Sequence, residues 1–159
     1  MPKKTTRVPA AHLASAALTQ ADYERLADFR FALRQFQAFS QHAAKAAGLT
    51  PQQHQSLLAI KGAQARGGMS ISDLSHRMLL RHHSAVELVD RLVSAGLVLR
   101  EASEQDARKV MLTLTLRAED VLASLSAAHL EELQRVGPVL SDLIASVSAA
   151  GPHPDVLAF

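Results

Sequence analysis

Within residues 70–115 the hydrophobic repeat changes from that of a helix to that of a strand, and this order of elements restricts the fold more than any other feature of the chain. Ser70 and Asp73 have the spacing of a capping box, and Ile71, Leu74 and Met78 make an apolar stripe about two turns long. A turn is expected at residues 79–82, then a second helix over residues 83–95 that stops at Gly96. On a wheel of about 100° per residue, Ala85, Val86, Leu88, Val89, Leu92 and Val93 fill one arc. His83, Ser84, Glu87, Asp90, Arg91 and Ser94 fill the other. Residues 97–101 and 108–115 then read as strands around a polar turn, with Val110, Leu112 and Leu114 alternating against Lys109, Met111 and Thr113. A short helix, a tight turn, a two-faced helix and a hairpin make a winged helix-turn-helix. One face of its second helix packs, and the other is free to meet base edges in a major groove.

The flanking segments read as helical support. Thr19 and Asp22 predict a helix start, and Tyr23, Leu26, Phe29, Leu33, Phe36 and Ala43 form its stripe up to Gly48. Phe31 and Phe39 lie off that stripe, so this helix needs two neighbours, one of which a second subunit would supply. Thr50-Pro51 with Gln53 starts the next helix, whose buried side is expected at Leu57, Leu58 and Ile60. Thr115 caps a helix carrying Ala118, Val121, Leu122, Leu125, Leu130 and Leu133. Gly137-Pro138 is expected to break or bend it before a last helix over residues 139–149. The expected organisation is a flexible arm (1–18), one domain (19–150) and an irregular tail (151–159). Within the domain, 50–115 is the winged helix-turn-helix, and 19–48 and 116–150 are dimerisation helices.

Composition narrows the function. Hydrophobic residues are 48% of the chain but aromatics only 4%, which suits a mainly α fold with a small β-wing. A net charge of +2 does not by itself argue for nucleic acid, so the placement of the basic residues must. There is no cysteine, hence no disulfide or thiolate metal site. No apolar run is long enough to span a bilayer, and Pro9, His12 and Ser15 interrupt the Ala-rich start, so no membrane partner is expected and a cytoplasmic location is. No Gly-rich phosphate loop, nucleophile–base pair or HExxH motif occurs, so neither an enzyme, a cofactor nor a metal site is expected. His82 and His83 are adjacent on a helix and diverge, whereas His42 and His54 lie on neighbouring helices able to approach a cleft.

The chain resembles the MarR family of bacterial transcription regulators. The matching residues are Leu74, the segment Val89-Asp90-Arg91-Leu92, the turn Gly96-Leu97-Val98, Arg100, and the Asp106-x-Arg108 tip running into Val110-x-Leu112 and Leu114-Thr115. The family's usual glycine three residues after Leu-Thr is Ala118 here, which a helix tolerates, and the last helix is short. The resemblance implies a homodimer whose outer helices intertwine, two readers on an inverted repeat of double-stranded DNA, and a small-molecule effector in a cleft between the dimerisation and reading regions. It also implies that Arg108 enters the minor groove, oriented by Asp106.

Ser84, Glu87 and Arg91 share the reading arc. Arg forms bidentate bonds to guanine, Glu accepts from cytosine and Ser is permissive. Arg81, His82 and His83 lie at the start of that helix, and Lys109 on the wing is a phosphate candidate, as are Ser70, Ser72 and Arg77. Phe29, Phe36 and His54 are the candidate effector pocket. The function expected is a ligand-responsive repressor that binds DNA. The alternative is a protein-interaction module that kept the scaffold without specific DNA binding.

Overall fold

The computed structural model describes residues 19–103 and 109–148, with side chains to residue 146. The expected arm, wing tip and tail lie outside these residues. The order is α1 (Gln20–Ala46), α2 (Pro51–Ala63), a 3-10 turn (Gln64–Arg66), β1 (Met69–Ser70), α3 (Ile71–Arg77), α4 (His82–Ser94), β2 (Val98–Ala102), β3 (Val110–Leu114) and α5 (Leu116–Ser148). It is a mainly α chain with a small wing.

Local chemistry sets most boundaries. Thr19, Thr50 and Ser70 each close a capping box, with Asp22, Gln53 and Asp73 as partners. At α1 the Thr19 N–H, the Thr19 hydroxyl and Arg25 all bond the Asp22 carboxylate and lower its pKa to about 2. Both α1 and α4 end on glycine in a left-handed conformation, Gly48 and Gly96. The next residue folds back in each case: Leu49 N–H donates to Ala44 O at 2.9 Å and Leu97 N–H to Leu92 O at 3.0 Å, the Schellman pattern.

Three expectations change. Gly137-Pro138 does not end a helix, because α5 runs unbroken from Leu116 to Ser148 with Pro138 inside it. Proline removes one donor there, but Gly137 has no Cβ to clash with the proline ring, which relieves the usual bar on helix before proline. The sheet has three strands, not two. Met69 pairs with Leu112 and Ser70 with Met111, on the side of β3 opposite β2. Two residues that also cap a helix carry too little pattern to read as a strand. Finally, two apolar residues expected on packed faces are exposed, Leu58 on α2 and Val110 on β3. Val110 lies at the outer end of the hairpin, opposite Ala102 and away from the helical body.

The core joins α2, α3, α4, the wing and the first half of α5. Leu57, Ile60, Leu74, Leu88, Val89, Leu92, Val98, Leu112, Ala118 and Leu122 are all buried in one cluster. Ala118, where the resembling family has glycine, is fully buried and fits without distortion in the first turn of α5. By contrast α1 buries only Ala32 and Ala44, while Tyr23, Leu26 and Phe31 stand exposed. Among the described residues no helix is long and apolar enough to cross a membrane.

Candidate nucleic-acid interface

Helix α4 separates its faces as the wheel predicts. Ala85, Leu88, Val89 and Leu92 are buried to 1% exposure or less. Val86 is only half-buried and Val93 is exposed, because both lie at the edges of the packed arc. On the other side Arg81, His82, His83, Glu87 and Arg91 are exposed and Ser84 is half-exposed. This helix also begins differently from α1, α2 and α3. Its N-cap is Arg81, which makes no side-chain capping bond, so the first-turn N–H groups are left without a side-chain acceptor. Those donors and the positive end of the helix dipole lie beside Arg81, His82 and His83, an arrangement that favours an anion.

The turn that aims α4 holds a strained residue. After Arg77 the chain repeats the Schellman pattern: Leu79 N–H donates to His76 O and Leu80 N–H to Ser75 O at 2.9 Å. The residue in the left-handed position is Leu79, with φ 54°, not glycine. Its side chain is 90% exposed. A leucine there costs roughly 1–2 kcal/mol relative to an ordinary backbone conformation.

The wing is tied to the reader at its base and along one side. Thr115 Oγ1 donates to Gly96 O at 2.9 Å and accepts from Ala118 N–H, so one hydroxyl joins the turn after α4 to the start of α5. Arg100 on β2 bonds Asp90 on α4 at 2.7 Å. Asp90 is therefore held by the wing and not by Arg91, which makes no ion pair among the described residues. Lys109 is exposed at the start of β3, near enough to Asp73 to help lower its pKa, after the two bonds from Ser70. Ser70 is committed to that cap. Ser72 and Arg77 are exposed on α3. Asp106 and Arg108 lie outside the described residues. A groove of about 570 Å³ runs between α3 and the wing past Arg66, Asp73, Glu101 and Lys109.

The candidate effector residues are only partly brought together. His54 is buried on α2, and Phe36 of α1 lies within one aromatic cluster with it through His129 of α5. Phe29 is half-buried about two turns nearer the start of α1 and has no described ring contact to the cluster. Its place is taken by Phe39, whose ring centroid is 5.3 Å from that of His129. His42, expected to approach His54, is exposed. In the sequence Phe39 lies off the apolar stripe of α1, and His129 lies far away on α5. Only the crossing of α1 over α5 puts them together, and no local signal marks that crossing. Among the described residues no group of three metal-ligating side chains is assembled.

The comparisons agree with this geometry. Residues 47–109, from the end of α1 to the wing, match the model of the MarR family. Over that segment the chain is similar to the MarR family, and its fold is that of a winged-helix protein. Solved MarR-like structures share its fold well beyond that segment. AbsC, a MarR family transcriptional regulator from Streptomyces coelicolor, is 21% identical over 87% of this chain and 95% of its own, with a TM-score of 0.67. Rv1404 from Mycobacterium tuberculosis is 23% identical over 88% and 99%, with a TM-score of 0.64. A MepR mutant from S. aureus bound to an oligodeoxyribonucleotide is 17% identical over 85% and 100%, with a TM-score of 0.60. No curated protein matches the chain in sequence. The wing motif of this MarR-like chain, Gly96-Leu97 followed by Leu114-Thr115, is also where Thr115 fastens the hairpin to two helices.

Proposed function

We propose that this chain is a sequence-specific double-stranded DNA-binding transcription regulator. It would act in the cytoplasm as a ligand-responsive repressor, a homodimer on an inverted-repeat operator. The observation that carries the reading is α4: one arc sealed in the core, the opposite arc polar and exposed, and an uncapped N-terminus beside Arg81. Ser84, Glu87 and Arg91 meet base edges in this reading. Arg81, His82, His83 and Lys109 meet phosphates, and Arg108, oriented by Asp106, enters the minor groove.

Dimerisation is supported by the apolar residues that α1 and α5 leave exposed, Tyr23, Leu26, Phe31, Leu130, Val139 and Ile144 among them. Two copies would set their readers about one helical turn of DNA apart, roughly 10 base pairs. The effector would enter the seam between reader and scaffold at Phe36 and His54, with Phe29 farther along α1. The family's role is regulatory, not enzymatic, and we extend that to this chain.

Selection of bound duplexes from a random library at two salt concentrations tests the reading. An enriched inverted repeat whose binding falls steeply with salt is expected. Weak binding with no enriched sequence would overturn it in favour of an interaction module.

A further inference from the structure

Where α1, α2 and α5 meet, two imidazoles lie against each other, and among the described residues no carboxylate bonds either ring. His54 on α2 is 2% exposed, and among the described residues neither of its ring nitrogens has a hydrogen-bond partner. His129 on α5 lies beside it, ring centroids 4.6 Å apart and planes 47° apart. Both nitrogens of His129 are already used. Nδ1 is 2.7 Å from Leu125 O, a group that only accepts, so Nδ1 carries the proton. Nε2 is then a lone pair that accepts from the Ser40 hydroxyl of α1 at 2.9 Å. Phe36 and Phe39 pack edge-on against the His129 ring. A proton added to His54 would therefore create a buried cation with no acceptor, because the neighbouring lone pair belongs to Ser40.

The charged groups on the packed elements do not relieve this. Lys61 of α2 is bonded to Glu119 of α5, and Glu132 of α5 to Arg135. On α1, Arg34, His42 and Lys45 are exposed, as is Glu131 on α5. Burial, and then the facing His129, hold the pKa of His54 below its ordinary 6.5. A shared cation is a poorer occupant than a proton, since zinc takes three or four protein ligands and only two stand here.

We propose that the His54–His129 pair is a proton-operated latch between the reader and the scaffold helices. While both rings are neutral, α2 packs on α1 and α5. Proton uptake by His54 loosens that joint and frees the reader to change its setting. The latch rests on the joint between the helices and does not depend on the DNA-binding reading.

The sign of the pH effect follows from the direction of the shift. The unfolded chain takes up the proton first, so stability falls as pH drops below about 6.5 until folded His54 itself is charged. One such proton raises the unfolding constant by up to about tenfold per pH unit in that window.

The experiment is a histidine-resolved NMR titration of the full chain from pH 8 to 5, with amide hydrogen exchange at each end, on the wild type and on His54→Leu. His54 should titrate below the exposed histidines, and α2 should exchange faster at low pH in the wild type than in the variant. An ordinary midpoint for His54, or equal acid loosening in His54→Leu, overturns the latch. The wild-type titration decides the matter even if the variant does not fold. DNA affinity is read as the difference between wild type and His54→Leu at each pH, so that any pH effect common to both proteins cancels. A wild-type loss of severalfold relative to the variant between pH 7.5 and 5.5 is expected, and no difference overturns the coupling to the reader. Failure of both proteins to bind DNA at any pH would count against the regulator reading alone.

Discussion

Helices α4 and α1 carry apolar stripes of similar regularity, yet the protomer treats them oppositely. The stripe of α4 closes against α3 and the wing within the one buried cluster, until four of its residues are 1% exposed or less. The stripe of α1 meets α5 and the end of α2, and leaves Tyr23 at 56% and Phe31 at 54% exposure. Periodicity states that a helix has an apolar side. It does not state whether the same chain covers that side. In α4 the side is a core, whereas in α1 and the distal half of α5 it is surface awaiting another surface.

The largest effect should come from opening the core of the reader. Leu88→Ala removes a fully buried side chain and is expected to cost about 2 to 5 kcal/mol, read by urea unfolding followed by circular dichroism. A loss under about 1 kcal/mol would mean that α4 is not part of one cooperative core.

Leu130→Glu should act on the other side of the contrast. Leu130 is exposed in the protomer, so folding should change by no more than about 0.5 kcal/mol, while dimer dissociation should rise at least about tenfold in sedimentation equilibrium. An unchanged association constant would remove α5 from the proposed interface. Marked unfolding at high protein concentration would mean that this face is covered within the chain.

The smallest effect has the opposite sign. Leu79→Gly relieves the left-handed leucine and sacrifices almost no packing, since the side chain is exposed. Part of the gain is cancelled because glycine is freer in the unfolded state. A net stabilisation of about 0.5 to 1 kcal/mol is expected from the shift in urea midpoint. Destabilisation would show that the leucine side chain makes a contact beyond the protomer, as it would within a dimer.

Much of this was legible in the residues. The three capping boxes, the two glycine-terminated helices, the faces of α4 and the hairpin all follow from signals within a few residues, and each holds in the structure. The candidate contacts Arg81, His82, His83, Ser84, Glu87 and Arg91 are on one accessible side because the packed arc leaves them nowhere else to go. What was not legible depended on distance along the chain. The Asp90–Arg100 bond, the third strand and the His54–His129 contact each join residues that no repeat relates. The unbroken α5 shows the same limit in reverse, since Gly137-Pro138 is a strong local stop signal that the helix nonetheless passes through.

The sequence by itself determined where helices begin, which arc of each is apolar and that residues 70–115 form a winged helix-turn-helix. Those properties arise from backbone hydrogen bonds and side-chain period, which act over one or two turns. Tertiary structure decided which apolar arcs became core, which ion pair braces the wing and which histidine lost its water. Burial and desolvation belong to the surroundings that several helices make together, and no single segment contains them.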